Sequence, residues 1–320
     1  MKKVVIVTLI AVMAAFSFVS VASAANFMSI ATGGTTGTYY AVGGAIANAV
    51  TKAGKVQVTA ETGNASVANV NLVNTKGIEL AFTQADIAYW AYNGQLMFQG
   101  KPLKNLRAVC ALYPEHIQVI VTKDAKMKKF TDIKGKRVGV GAPGSGVEGD
   151  VQALFKQAGL TYKDLAKADF LDFAATTSRF KDNQIDVGFV VAGFPTASVM
   201  DLLTTKNNIT LFSFDDAFLK ALNKTYPFMV PSVIPAGTYK GISAVKTPAI
   251  TSFLVTYNGV SGEDIYNFLD GLYKNINEVH ASHAKGKEIT FKPGAEPRRF
   301  PLPQRHPSFL GIRASLKTNR

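Results

Sequence analysis

Residues 27–31, FMSIA, form a short apolar run that ends in the loop TGGTTGTYY. Beyond it Val42, Ile46, Ala49 and Val50 recur at helical spacing, so the order is strand, glycine- and hydroxyl-rich loop, helix. The unit repeats. In VQVTAETGNASVANVNLV, Val56, Val58 and Ala60 alternate as a strand does, TGNAS makes the loop, and Val67, Val70 and Val73 mark a helix. A third copy lies mid-chain as KRVGV, GAPGSG and GDVQALFKQAGL.

The segments between these units extend the alternation. IELAFTQ reads as a buried strand with Gln84 and Asp86 at its carboxyl end. LRAVCALYPEHIQVIVTKDA reads as two strands broken at YPEH, and FTDIKGKRVGVG as a lysine-rich turn entering a strand. Helices are expected over 149–158 and 177–183. IDVGFVVAGFPTASVMDLL reads as a strand, a small-residue loop and a helix, and ITLFSFD as a short strand. Pro227, Pro231 and Pro235 keep YPFMVPSVIPAGTYKG extended. AITSFLVTY is a strand, and SGEDIYNFLDGLYKNINEVHA a helix with Ser261 as N-cap and Glu263 and Asp264 in its first turn. Such alternation predicts α/β layers with mostly parallel strands, whose ligands bind outside the strands' carboxyl ends. Two lobes are expected, with a break near YPEH and a return near VPSVIPAG.

The N-terminus changes the picture by setting a compartment. MKK, the apolar VVIVTLIAVMAAFSFVSV and the small-residue ASA at Ala24 have the composition of a cleaved secretory leader over 1–24. An uncleaved anchor is the alternative, since the run is long enough to cross a bilayer. The remaining length suffices for two domains. Cys110, the single cysteine, sits in an apolar run and reads as core. The net charge of +13 invites a nucleic-acid reading. Its distribution opposes one: with two leader lysines and the six basic residues after Pro297 set aside, 27 basic residues face 22 acidic ones.

Gly139 to Gly144 matches G-x-G-x-x-G, but Pro143 is atypical of a dinucleotide turn and no Walker lysine follows. What the loops share is a helix N-terminus with free N–H groups, glycines that admit close approach, and hydroxyl donors; together these cradle an anion. No catalytic set emerges. His280 and His283 lack a third metal ligand, His116 beside Glu115 reads as structural, and Gly144-Ser145-Gly146 lacks the nucleophile-elbow spacing. Before the tail, only Arg107, Arg137 and Arg179 are available to clamp a carboxylate. Tyr39 is the aromatic residue expected at a ligand; Tyr40, Tyr89, Trp90 and Tyr92 read as core or surface.

In order, ATGGTTGTYYAVGGAIANAV, ETGNASVANVNLV, ELAFTQADIAYWAYNG, IKGKRVGVGAPGSGVE, IDVGFVVAGFPTASVMDL and YPFMVPSVIPAGTYKG resemble the TAXI-type solute receptors of TRAP transporters, over roughly Asn26 to Lys287. The resemblance implies a type II periplasmic-binding-protein fold: two α/β lobes around a hinge, with an interlobe cleft. The lobes would be residues 25–116 with a return over 231–296, and 117–230. It implies a periplasmic receptor, not an enzyme, that binds a small carboxylate (a glutamate-like amino acid or a dicarboxylate) and delivers it to TRAP membrane permease subunits. It implies no cofactor, no metal and no nucleic acid, and a monomer. Binding positions carry over as Gly34, Thr35, Thr36 and Tyr39 in the first loop, Asn64 and Ser66 in the second, and Gln84 after its strand. Ser145, Gly146 and Val147 belong to the opposite lobe, with Phe194 near the cleft and Glu148 or Asp86 placed for a ligand ammonium. Rival readings are a sensor subunit that presents the closed form to a membrane kinase, and a periplasmic enzyme. The family's usual C-terminal segment is only echoed in FKPGAEPRR; residues 297–320 are basic and acid-free, which reads as a frameshifted or truncated end, or else as a tail for a partner or a membrane surface.

Overall fold

The computed structural model describes residues 26–290; the expected leader and the basic tail lie outside the described residues. The chain opens with strand β1 (Asn26–Ala31), helix α1 (Thr38–Lys52), β2 (Val56–Glu61), α2 (Ser66–Asn74), β3 (Leu80–Gln84) and α3 (Ala85–Asn93). It continues through β4 (Leu106–Thr122), β5 (Arg137–Gly139), α4 (Gly146–Gln157), β6 (Lys167–Asp169), α5 (Phe173–Lys181), β7 (Val187–Ala192) and α6 (Ala197–Thr205). It closes with β8 (Ile209–Leu211), α7 (Asp216–Thr225), β9 (Val230–Ile234), β10 (Val245–Tyr257), α8 (Gly262–Lys274) and α9 (Ile276–Ser282).

The strands run in the order β2-β1-β3-β10-β4-β7-β5-β6, with β8 added to β4 and β9 to β10. The β1–β2, β1–β3, β5–β6 and β5–β7 pairs are parallel, as strand–helix alternation predicts. The long strands β4 and β10 are antiparallel to all their neighbours. The sheet is therefore mixed rather than mostly parallel, because two strands reverse direction while carrying the chain between the lobes. This is a two-lobe α/β fold, with β1–β3 at one end and β5–β7 at the other.

Strand β4 is one 17-residue strand, not two broken at YPEH. Pro114 has no N–H to give, and it sits where the ladder with β10 slips: Thr251 faces Pro114 while Phe253 faces Ala111. The bulge accommodates the proline without ending the strand. Helix α4 starts at Gly146, earlier than expected, because the Ser145 hydroxyl caps it by accepting from Glu148 N at 3.2 Å. Helix α5 likewise starts at Phe173, capped by Asp172. Ser261 caps α8 as expected, but Asn275 divides the expected single helix and donates to Ala49 O.

Cys110 is buried, and burial pushes its thiol up to about 12. In the second lobe Phe130 is ringed by Phe155, Phe189, Phe212, Phe214 and Phe218, drawn from four separate segments.

Candidate functional site

Four helix N-termini converge on one cavity of about 180 Å³ between the lobes. On one side, the loop after β1 brings Gly34, Thr35 and Thr36 to the wall, followed by Tyr39 in the first turn of α1. The loop after β2 brings Asn64, and Ser66 opens α2. Gln84 ends β3 and reaches the floor. On the other side Ser145, Gly146 and Val147 start α4, and Asp172 and Phe173 start α5. The termini of α1, α2 and α4 turn the positive ends of their helix dipoles to the space, which favours a negative charge there; at α5 the Asp172 carboxylate already caps the terminus. Among the described residues no lysine, arginine or histidine lines it.

Ten of the thirteen expected residues thus meet around one space. Glu148 and Phe194 do not line it. Glu148 turns to Gln152 and to the Tyr162 hydroxyl. Phe194 packs edge-on against His116, with Lys285 Nζ 3.9 Å from its ring centre. Asp86 is fully buried behind the cavity. The three arginines lie elsewhere: Arg137 pairs with Asp186, Arg107 donates to Lys104 O and Leu106 O, and Arg179 donates to Gln184. His280 bonds Ile289 O and His283 bonds Pro195 O, and no group of three metal ligands occurs among the described residues.

Sequence reasoning missed Glu115 as a cleft residue. Its carboxylate is 3 % exposed and accepts the Tyr39 hydroxyl at 2.7 Å. Burial pushes its pKa up to about 8 against the lowering effect of the Tyr39 bond. The ladder with β10 slips just before this point, between Ala111 and Pro114, which no local pattern announces. Asp172 was more legible: an aspartate three residues before Ala175 is an N-cap signal in LDFAA.

Asn69 holds the first two loops in place. Buried in α2, its amide donates to Thr32 O and Phe82 O, both at 2.8 Å, and to Ala31 O at 3.3 Å. Asn69→Ala strands these carbonyls without a donor. A loss of about 2–3 kcal/mol in stability by chemical denaturation is expected.

The lobes are closed over this space. Ala68 N donates to Gly144 O at 2.9 Å, Thr38 Oγ1 to Gly193 O at 2.8 Å, and Gln84 Nε2 to Asp150 Oδ2 at 2.5 Å. Two α/β lobes joined by crossing strands, with helix N-termini facing a cleft, are the architecture of periplasmic binding proteins. The fold is similar to the alkanesulfonate-binding protein SsuA from Xanthomonas axonopodis pv. citri bound to MOPS, at 13 % identity over 82 % of this chain and 77 % of that one, with a TM-score of 0.50. It is similar to PhnD1 from Prochlorococcus marinus in complex with methylphosphonate, at 14 % identity over 82 % and 88 %, with a TM-score of 0.51. A substrate binding protein of an amino acid ABC transporter matches at 10 % identity over 82 % and 100 %, with a TM-score of 0.50. At these identities the likeness is one of fold. The NMT1-like family profile matches residues 30–304, and the chain belongs to that family. Among the described residues no helix is long and apolar enough to cross a membrane.

Proposed function

We propose that this chain is a periplasmic solute receptor of TAXI type, exported by a cleaved leader. It works as a monomer that captures a small carboxylate and hands it to TRAP-type membrane permease subunits. The observation that carries the ligand class is the convergence of the N-termini of α1, α2 and α4 on a cleft with no basic side chain among the described residues. Such a site holds an anion through backbone N–H groups and hydroxyls rather than through an arginine clamp. Its volume suits a small metabolite, being below the range of drug-sized pockets. The ordered run of loop motifs supports the TRAP assignment, and the extended lobe-to-lobe strands support closure about them. Within the carboxylates, Glu115 favours a glutamate-like amino acid over a dicarboxylate. Its carboxyl faces the cavity with one oxygen on Tyr39, and a ligand ammonium supplies the cation the wall lacks.

The test is a thermal-shift screen of the protein, leader removed, against amino acids, 2-oxo acids and dicarboxylates. A ligand at a hundred times its Kd stabilises by about 2.7 kcal/mol. That gives a shift of about 5 °C or more with one class. Glu115→Gln is expected to weaken amino-acid binding about tenfold or more while sparing 2-oxo acids. No shift from any class, in a protein that melts cooperatively, would overturn the carboxylate reading.

A further inference from the structure

The segment SGVEGD leaves Gly149 and Asp150 unused by the cleft, yet both face the opposite lobe. A Cβ on Gly149 would come within 2.7 Å of Met97 and 3.1 Å of Ile87, so α4 lies hard against the region of α3. This close approach buries Asp150 completely beside Asp86 of the α3 first turn. Asp150 Oδ2 accepts from Gln84 Nε2, and Asp86 Oδ1 accepts from Ile87 N at 2.7 Å. The remaining oxygens, Asp86 Oδ2 and Asp150 Oδ1, are buried without a partner. The two carboxyls lie within hydrogen-bonding reach of each other, where two ionised groups would only repel.

The surroundings supply no counter-charge. Glu115 of β4 is a third carboxyl that acts on the pair; Gln84 of β3 is neutral, and the Tyr39 hydroxyl is spent on Glu115. Among the described residues no lysine, arginine or histidine acts on any of the three carboxyls. Lys285, the nearby buried lysine, pairs with Glu288 and Phe194.

We infer that Asp86 and Asp150 share one proton across the closed lobes, so that closure of the ligand-free receptor takes up a proton and opening releases it. The shared proton sits between Asp86 Oδ2 and Asp150 Oδ1 and gives both orphaned oxygens a partner. Opening returns both carboxyls to water and to their ordinary acidity.

The sign follows from the direction of the shifts. Burial raises Asp86 to about 6 and Glu115 to about 8, and it raises Asp150 well above the usual carboxylate range. A group raised in the closed form favours that form at acid pH, and the preference is lost as pH rises through its closed-form value. The lobes therefore close on the acid side and part on the alkaline side.

The test needs no ligand, so its failure is separate from a failure of the proposed substrate. Nitroxides on Thr75→Cys and Lys156→Cys, at the outer ends of α2 and α4, report lobe separation by pulsed electron paramagnetic resonance. Cys110 is buried and stays unlabelled. The expected result is one short distance at about pH 5 that gives way to a longer one at about pH 9. Glu115→Gln removes the other raised carboxyl and keeps the pH response; adding Asp150→Asn to it replaces the shared proton by an amide N–H, and the short distance then persists at both pH values. Asp86→Asn in its place gives the same result by the same route, should Asp150→Asn fold poorly. An unchanged wild-type distance, or an asparagine variant that responds to pH as the wild type does, would overturn the proposal.

Discussion

Gly146→Val abolishes ligand binding and leaves each lobe folded: the expected result is loss of every carboxylate-induced thermal shift, with an unchanged far-ultraviolet spectrum. Gly146 is the first residue of α4 and the point where the second lobe meets the first. A Cβ there would fall 1.5 Å from Gln84 Oε1 and 2.8 Å from Ser66 Oγ. A free glutamine would swing aside, but Gln84 is held at both ends. Its Oε1 accepts from Ser66 Oγ at 3.0 Å, and its Nε2 donates to Asp150. Admitting a valine breaks that chain or parts the lobes, and either outcome takes Gln84, Ser66 and Gly146 out of register around the ligand. An affinity loss of about a hundredfold or more corresponds to about 2.7 kcal/mol, which one displaced buried polar network supplies. Helix α4 itself is not at risk, because Ser145 still caps it. Gly44→Ala is the control. Gly44 lies in α1 away from the cavity wall, and a Cβ there meets nothing within 4 Å, so binding is expected to survive. Retention of wild-type affinity by Gly146→Val would mean that the lobes do not close on this face.

The same residues show how far the site was legible in the sequence. The loops TGGTTGTYY, TGNAS and GAPGSG announced themselves, because helix N-termini need glycines and hydroxyls in a local order that a reader can see. What brings them face to face is not local. Glu115 reaches the cavity just past a bulge that forms only when β4 pairs with β10, and YPEH by itself looked like a chain break. Phe194 followed a small-residue loop as a cleft residue would, yet His116 and Lys285, 78 positions before it and 91 after it, draw its ring away. Glu148 sits one turn into α4, where helical rotation points it at Gln152 and Tyr162 instead of the ligand. The mixed sheet was hidden for a similar reason, since strand direction depends on which partner a long strand finds. The leader and the tail, both prominent in the sequence, lie outside the described residues.

The second large effect is expected far from the ligand. Phe130→Ala should cost about 3–5 kcal/mol, a large share of the about 5–15 kcal/mol that holds a domain folded. Phe130 lies on a short 3-10 turn, and its ring centre stands 5.4 to 6.4 Å from those of Phe155, Phe189, Phe212, Phe214 and Phe218. These rings come from α4, β7, the strand end after β8, and α7, so one side chain ties together the elements that present Ser145, Gly146 and Val191 to the cleft. Truncation leaves a void that five rings cannot all relax to fill, because they are anchored in four separate segments. A fall in melting temperature of about 10 °C is expected by calorimetry. Phe130→Leu keeps much of the volume and should recover more than half of that loss. At a temperature where Phe130→Ala is folded, its ligand-induced shift should match that of the wild type, since Phe130 does not line the cavity. A cost below about 1 kcal/mol would show that this lobe is held chiefly by its sheet, and not by the aromatic cluster beneath it.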